Sequence, residues 1–388
     1  MTTEMPKTHS CSLEGSITKP PVTISLCMIV KNEEQTLARC LDSVADLMDE
    51  MIIVDTGSTD QTKTIAARYT DRLYTFDWND DFASARNESF DKATCSYILW
   101  LDADDVLLEP DRERLCSLKR HLSTATDIDA VMMPLHLAEG EQGEPLFTSR
   151  RIRLVKRERQ YRWAGRLHEY LVIPEGRIVH SDVAVTHRRM EDHTLRNQRI
   201  LARWISETDK LEGRLLYFHA NECFDRKEYA EAAEAFNRLL GEPSGYREDR
   251  ITACVRLAEC YLHLGEPEQQ LDILLRSFRY DVPQADVCCM IGDWFFTRKE
   301  WSIAAYWYEK ALEQQDVSGL RAVPLPCYSW LPHVRLSHCC ANLGKLDASY
   351  EHNQKALRYL PEDPYLLDNE RKLRSAIQKP SSSVRPSK

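Results

Sequence analysis

Short, nearly unbroken apolar runs alternate with helix-period segments over the first hundred residues. Thr23 to Val30 is almost wholly apolar with β-branched residues, the composition of a strand buried on both faces of a parallel sheet. Lys31-Asn32-Glu33-Glu34 follows, and Leu37, Cys40, Leu41 and Val44 then recur at helical spacing. Met51 to Val54 reads as a second strand, Asp55 to Asp60 as a capping loop around Gly57, and Gln61 to Tyr69 as a helix. Arg72 to Phe76 is a third strand, Asp80 to Ser89 opens a helix, and Tyr97 to Leu101 is a fourth strand. This alternation predicts an α/β, doubly wound and mostly parallel sheet, with its ligand at the carboxyl ends of the strands. Asp55 and Asp102 both fall at such ends.

Beyond Ala130 the pattern changes. Ala130 to His136 and Arg151 to Val155 have strand composition, flank a Gly- and Glu-rich loop at Glu139 to Glu144, and predict an antiparallel extension. Tyr161 to Glu169 comes next, then a turn at Pro174-Glu175-Gly176, a strand through Val179 to Val185, and His187.

From Leu195 onward the pattern is helical and repeats. Aligning Ala220 with Ala258, Gly292 and Ser337 places Cys223, Tyr261, Phe295 and Cys340 three residues on, and Phe236, Leu274, Tyr308 and Asn353 sixteen on. Each unit is two amphipathic helices around a turn, at Asp225 to Glu228, Gly265 to Pro267, Arg298 to Glu300 and Gly344 to Leu346. Spacings of 38, 34 and 45 residues bracket the tetratricopeptide length. Asn353 fits the apolar seam poorly and suggests a polar terminal cap. Gly319 to Pro326 reads as an insertion between the third and fourth units.

Composition narrows the function. The 388 residues carry a net charge of -10, which argues against a general nucleic-acid binder. Residues 1–150 hold 14 Lys and Arg against 27 Asp and Glu, whereas residues 151–200 hold 12 against 6, a local positive excess suited to a phosphorylated ligand or to a solvated surface. The 13 cysteines are scattered, without a C-x-x-C pair, and read as reduced core residues. No apolar stretch reaches membrane-span length, and Met1 to Pro20 lacks the halves of a signal peptide, so a cytoplasmic protein is expected. Residues 1–21 and 379–388 read as a disordered leader and tail, with a first domain over 22–195 and a helical linker and repeats over 196–378.

The chemistry gathers after the fourth strand. Asp102, Asp104 and Asp105 would raise one another's pKa unless a cation neutralises them, which points to a divalent metal; an acidic turn capping the next helix is the plain alternative. His168, Glu169 and His187 offer imidazole and carboxylate groups suited to metal binding or proton transfer, or to ordinary hydrogen bonding.

Four motifs together resemble glycosyltransferase family 2 of the GT-A type: Ser25 to Glu34, Ile53 to Asp60, Asp81 to Asn87, and the D-x-D run Trp100 to Asp105. With Trp163-x-Gly165-x-x-His168-Glu169 and a tetratricopeptide tail, the chain resembles a bacterial subgroup that includes peptide S-glycosyltransferases of the sublancin type. The resemblance implies a GT-A sheet followed by an all-α solenoid. It also implies a nucleotide-sugar donor, with a uridine nucleotide preferred, that lies near Val30, Asn32, Glu34, Asp55, Arg86 and Asp102. Asp104 would bind Mn2+ or Mg2+ directly, with His187 or His168 completing the shell. Inversion at the sugar needs a base, for which Glu169 and Asp105 are candidates, Glu169 preferred because Asp105 lies so near the metal cluster.

The acceptor stays open among a peptide or protein side chain, a lipid-linked sugar and a cell-surface glycan. The repeats read as a protein-contact surface that holds the acceptor or pairs two copies. The rival of another class is an inert scaffold, against which intact Asp55, Arg86, Asp102 and Asp104 argue. A nucleotidyltransferase would need a phosphate loop, and neither G-x-G-x-x-G nor a P-loop is present.

Overall fold

A computed structural model describes residues 22–141, 143–190, 194–243, 245–314 and 319–378; the expected leader and tail lie outside the described residues. The first half runs β1 (Ile24–Val30), α1 (Leu37–Asp42), β2 (Glu50–Asp55), α2 (Thr62–Ala66), β3 (Leu73–Thr75), α3 (Phe82–Asp91) and β4 (Tyr97–Trp100). These four strands are parallel in the order β3-β2-β1-β4, and the register sets Val30 beside Asp55. Both faces are covered, as the unbroken apolar runs require: Leu26, Met28, Ile53 and Leu99 pack with Leu37 and Leu41 on one side, Cys27, Ile52, Val54 and Trp100 with Phe90 and Trp163 on the other.

Next come β5 (Asp105–Val106), α4 (Glu109–Thr124), β6 (Ala130–Glu139), β7 (Pro145–Lys156), β8 (Arg162–Ala164), β9 (Tyr170–Val172), β10 (Ile178–His180) and β11 (Val185–His187). The predicted antiparallel pair is the β6–β7 hairpin, and it sits inside the sheet, with β7 against β4 and β6 against β11. The sheet is therefore mixed. The single strand expected over Val179 to Val185 is two strands along β6, broken where the Ser181 hydroxyl accepts from the Val183 N–H (3.1 Å) and the buried Asp111 carboxylate accepts from the Ala184 N–H (2.8 Å). That break lets β11 lie antiparallel to β5, with His187 directly opposite Asp105.

The second half is helical: α5 (Thr194–Ser206), α6 (Gly213–Asp225), α7 (Tyr229–Gly241), α8 (Arg247–Leu264), α9 (Pro267–Arg276), α10 (Ala285–Thr297) and α11 (Trp301–Glu313), then the short strand β12 (Val323–Pro324), α12 (Leu331–Asn342), α13 (Leu346–Leu357) and α14 (Pro364–Gln378). Four helical hairpins, α6–α7, α8–α9, α10–α11 and α12–α13, stack in sequence. Their turns are equivalent: Lys227, Gly265, Lys299 and Gly344 all take a left-handed backbone. The N–H groups of Glu228, Glu266, Glu300 and Lys345 return to the carbonyls of Cys223, Tyr261, Phe295 and Cys340 at 2.9, 2.8, 3.0 and 2.9 Å. Those four acceptors are the residues that the repeat alignment superposes. Asn353 proves fully buried, and α14 makes it at home: its side-chain amide donates to the Leu366 carbonyl (3.0 Å) and its oxygen accepts from Asn369 (2.8 Å). The polar position is thus the joint to a capping helix.

The insertion at 319–326 rejoins the sheet. Val323 and Pro324 pair antiparallel with Thr148 and Phe147 of β7, Arg151 donates to the Leu320 carbonyl (2.7 Å), and Arg321 makes a buried bidentate pair with Asp286 at 2.7 Å on α10. The chain that leaves the sheet at His187 thus returns to it at Val323 and fastens the helical array there. No helix among the described residues is long and apolar enough to cross a membrane. All cysteines among them are free thiols, most of them buried.

Candidate active site

An open cavity of about 250 Å³ lies at the carboxyl ends of β1, β2 and β4, lined among others by Val30, Lys31, Thr56, Arg86, Asp102, Asp104, His168, Glu169, His187 and Arg196. Strand ends and the N-terminal turns that follow them expose backbone N–H groups and acidic caps, which is why the site forms here.

Asp102 to Asp105 is a tight turn closed twice: the Asp105 N–H donates to the Asp102 carbonyl (3.1 Å), and the Asp102 N–H donates to the Asp105 carboxylate (2.9 Å). The β5–β11 register brings the His187 Nδ1 to 3.1 Å from Asp105 and 3.3 Å from Asp104. Asp104, Asp105 and His187 offer ligand atoms within 4.8 Å of one another. Burial, together with the charges of Asp102 and Asp105, lifts the Asp104 carboxyl to about 6 against the opposing pull of His187. Burial disfavours a charged His187, yet the hydrogen bond to Asp105 and the charge of Asp104 prevail and raise its pKa. Two carboxylates and one imidazole are a donor set that Mn2+ or Mg2+ accepts.

Arg86 links the two sides of the cavity. Its Nη2 donates to Asp102 and its Nε to Glu169, both at 2.6 Å, and the guanidinium lies 4.6 Å from the Trp100 ring and 4.9 Å from the Trp163 ring. Burial opposes the ionised form of Asp102, but Arg86 and Arg153 outweigh it and hold that carboxyl down at about 2. The motif around Arg86 has a local logic. Asp81 caps α3 by accepting from the Ser84 N–H (3.0 Å), and the Asn87 side chain forms a two-way bond with the Trp163 backbone (2.9 and 3.0 Å), which holds the Trp163 wall against α3.

The expected site residues divide into two groups. Arg86, Asp102, Asp104, Glu169, His187, His168 and Val30 all line the cavity. His168 nevertheless lies outside the Asp104–Asp105–His187 group; it packs on Phe218 of α6 (4.7 Å), and burial lowers its pKa. Asp105 is fully closed off from solvent and its carboxylate is held by Arg153 at 2.8 Å. Asp55, Asn32 and Glu34 are not among the residues that line the cavity, although their neighbours Lys31, Glu33 and Thr56 are. Asp55 accepts from the Gly57 and Ser58 N–H groups (3.0 and 3.1 Å), Asn32 from the Thr59 N–H (2.8 Å) and Glu34 from the Gln61 N–H (3.0 Å), so all three side chains brace the loop after β2. Asn32 does so from a left-handed backbone.

Sequence reading missed Arg153, Thr56 and Arg196. Arg153 is 1% exposed, stacks 3.8 Å from the Trp100 ring and supports Asp105 from beneath. Its position two residues from Arg151 and Val155 on β7 was a period-two signal for one sheet face, but the acid it meets arrives from another strand.

The profile of Glycosyl transferase family 2 matches residues 25–168. A tetratricopeptide repeat-containing protein of Synechococcus elongatus is 51% identical over 85 residues, 22% of this chain and 21% of that protein. The prophage-derived glycosyltransferase SunS of Bacillus subtilis is 33% identical over 114 residues, 29% of this chain and 27% of that protein. The lipopolysaccharide core biosynthesis glycosyltransferase LpsC of Rhizobium meliloti is 27% identical over 165 residues, 41% of this chain and 60% of that protein. The chain thus spans less than two thirds of the length of each of these relatives. The matched residues carry the strand-end loops, Arg86 and the D-x-D turn and end at His168 on the cavity wall, so it is this segment, 25–168, that is similar to glycosyltransferase family 2.

Proposed function

We propose that this protein is a metal-dependent inverting glycosyltransferase that moves a sugar from a nucleotide-sugar donor, with a uridine nucleotide preferred, to a peptide or protein side chain. The observation that carries it is the meeting, in one cavity, of the Asp104–Asp105–His187 group with the Asp102–Arg86–Glu169 bridge.

Asp104 and His187 would hold Mn2+ or Mg2+, with Asp105 behind them orienting the imidazole. A divalent cation there supplies Lewis-acid charge for the departing nucleoside diphosphate. Arg86 fixes Asp102 for the donor and turns Glu169 toward the acceptor side. In a single displacement the acceptor atom forms the new bond to the anomeric carbon. The carbon–oxygen bond to the diphosphate breaks, its electron pair leaves with the nucleotide, and Glu169 receives the acceptor proton. A cysteine acceptor asks little of that base, since a free thiol ionises near 8.5. Asp55, Asn32 and Glu34 set the loop that carries the nucleotide base. The helical array would present the acceptor, because His168 beside Glu169 packs directly on Phe218 of α6.

A lipid-linked or cell-surface glycan is the second acceptor reading, favoured by the likeness to LpsC. The test is release of nucleoside diphosphate from a panel of UDP-, GDP- and dTDP-sugars, with and without Mn2+. Release from one donor that chelator abolishes is the expected result, and turnover indifferent to chelator overturns the metal role.

A further inference from the structure

Helix α5 lies beyond the part of the chain that matches the family, yet Arg196 and Asn197 in its first turn line the cavity. Three arginines, Arg196, Arg199 and Arg203, share one face of this helix through their spacing of three and four residues. Two of them are tied down. Arg199 and Arg203 grip the two oxygens of Asp80 at 3.1 and 2.9 Å, and Asp80 is itself fixed in a left-handed conformation by the Trp78 indole N–H at 2.9 Å. Ile200 and Leu201 bury the inner face of the helix against Leu167 and Phe218. The helix is therefore seated firmly, and the seat points the third arginine into the cavity.

Arg196 has no carboxylate within ion-pairing distance among the described residues. Its guanidinium is packed 5.0 Å from the Phe82 ring and its Nε reaches only the Asn197 side chain, at 3.3 Å. Burial, with the charge of Arg189 acting in the same direction, lowers its pKa, while the charges of Glu33, Glu169 and Asp104 favour its charged form. Half-buried guanidinium groups normally have an anionic partner, because taking the charge out of water is otherwise costly. Here the protein holds the cation in place and leaves its hydrogen-bonding edge for something that arrives. Lys31, at the end of β1, is a second cavity-lining cation without an ion pair among the described residues.

The geometry points to Arg196 as a binding residue for the phosphate oxygens of the donor's nucleoside diphosphate, assisted by Lys31, in the cavity that Asp104 and His187 also line. This rests on the proposed nucleotide-sugar reading. It adds a residue from outside the family segment that takes up negative charge as the anomeric carbon–oxygen bond breaks. Arg196 transfers no proton; the bond's electron pair stays on the diphosphate, and the guanidinium and the cation share the charge.

The test is calorimetric titration of the full chain, with Mn2+ present, by UDP, GDP and dTDP, and then by the monophosphate of whichever diphosphate binds. Arg196→Gln should weaken the diphosphate by about tenfold or more, the worth of one charge-assisted hydrogen bond, and the monophosphate by no more than about threefold. Arg196→Lys should recover part of the loss. The melting temperature of each variant should match the parent, since the Asp80 pairs are kept. Equal diphosphate affinity in Arg196→Gln and parent overturns the assignment and leaves the nucleotide-sugar reading standing. Equal losses for diphosphate and monophosphate also overturn it, as a mere effect on the shape of the site. If the folded parent binds none of the three diphosphates, the nucleotide-sugar reading fails and takes this assignment with it.

Discussion

The Arg153 guanidinium lies 2.8 Å from the Asp105 carboxylate, and both side chains are closed to solvent. Arg153→Met removes one half of a buried ion pair and leaves the Asp105 carboxylate with only His187 and the Asp102 N–H as partners, which should cost up to about 3 kcal/mol in denaturant unfolding, the low end for a broken buried pair. Pairing it with Asp105→Asn should return much of that loss. A single variant as stable as the parent would show that the pair is not the support of the D-x-D turn.

Asp104→Ala deletes the one acid of the cluster that both lines the cavity and sits beside His187. The fold should persist, because Asp104 braces no loop with its side chain. Mn2+ binding, followed by calorimetry, and metal-dependent donor turnover should both fall by more than about a hundredfold, beyond the effect expected of an outer-shell residue. Full Mn2+ affinity in this variant would exclude Asp104 as a ligand.

Lys227 and Lys299 occupy the left-handed turn position that Gly265 and Gly344 fill in the other hairpins. Lys227→Gly should stabilise the chain by roughly 0.5 kcal/mol, the relieved backbone strain less the added freedom of the unfolded chain. Gly265→Ala should do the opposite by about 1 kcal/mol. Thermal melts of the two variants that moved in the same direction would break the equivalence of the turns.

His333 on α12 and His352 on α13 face each other with Nδ1 atoms 3.0 Å apart. Burial, then the charges of His352 and Lys355, pushes the His333 pKa down to about 4, and burial lowers His352 as well. An unfolded histidine titrates near 6.5, so below that pH the unfolded chain binds more protons than the folded one. Stability of the last hairpin should therefore be full above pH 6.5 and fall as pH drops toward 4, by on the order of 1 kcal/mol for this half-exposed pair. Denaturant midpoints measured across that range should show the decline in the parent and a flatter line in His333→Gln.

Much of this architecture was legible because each local signal agreed with its neighbours. Thr23 to Val30 and Tyr97 to Leu101 carried enough uninterrupted apolar surface to demand burial on both faces. The spacing of Cys223, Tyr261, Phe295 and Cys340 disclosed the hairpins before their turns were seen. What stayed hidden was contact between distant segments. Arg153 is one basic residue in a basic stretch until β7 lies beside β4, and Arg196 is one of three arginines on a helix until Asp80 takes two of them. Asn32, Glu34 and Asp55 carried the signature of a ligand site, but their side chains are committed to the loop around Gly57. Asn353 looked misplaced only because its partners Leu366 and Asn369 belong to a helix that follows the repeats.

The β12 strap makes the helical half inseparable from the sheet in a practical sense. β4 accompanies β7 only at residues 154–156, and β12 continues along the same side at Phe147 and Thr148. A fragment ending before Leu211 would therefore lose a strand from the sheet as well as the helices. It would bare the backbone of β7 beside Phe147, which is already 44% exposed. An open strand edge next to an exposed aromatic recruits other edges, and such a fragment should self-associate. The sheet half should thus depend on its helical partner to keep that edge covered, whatever else the helices hold.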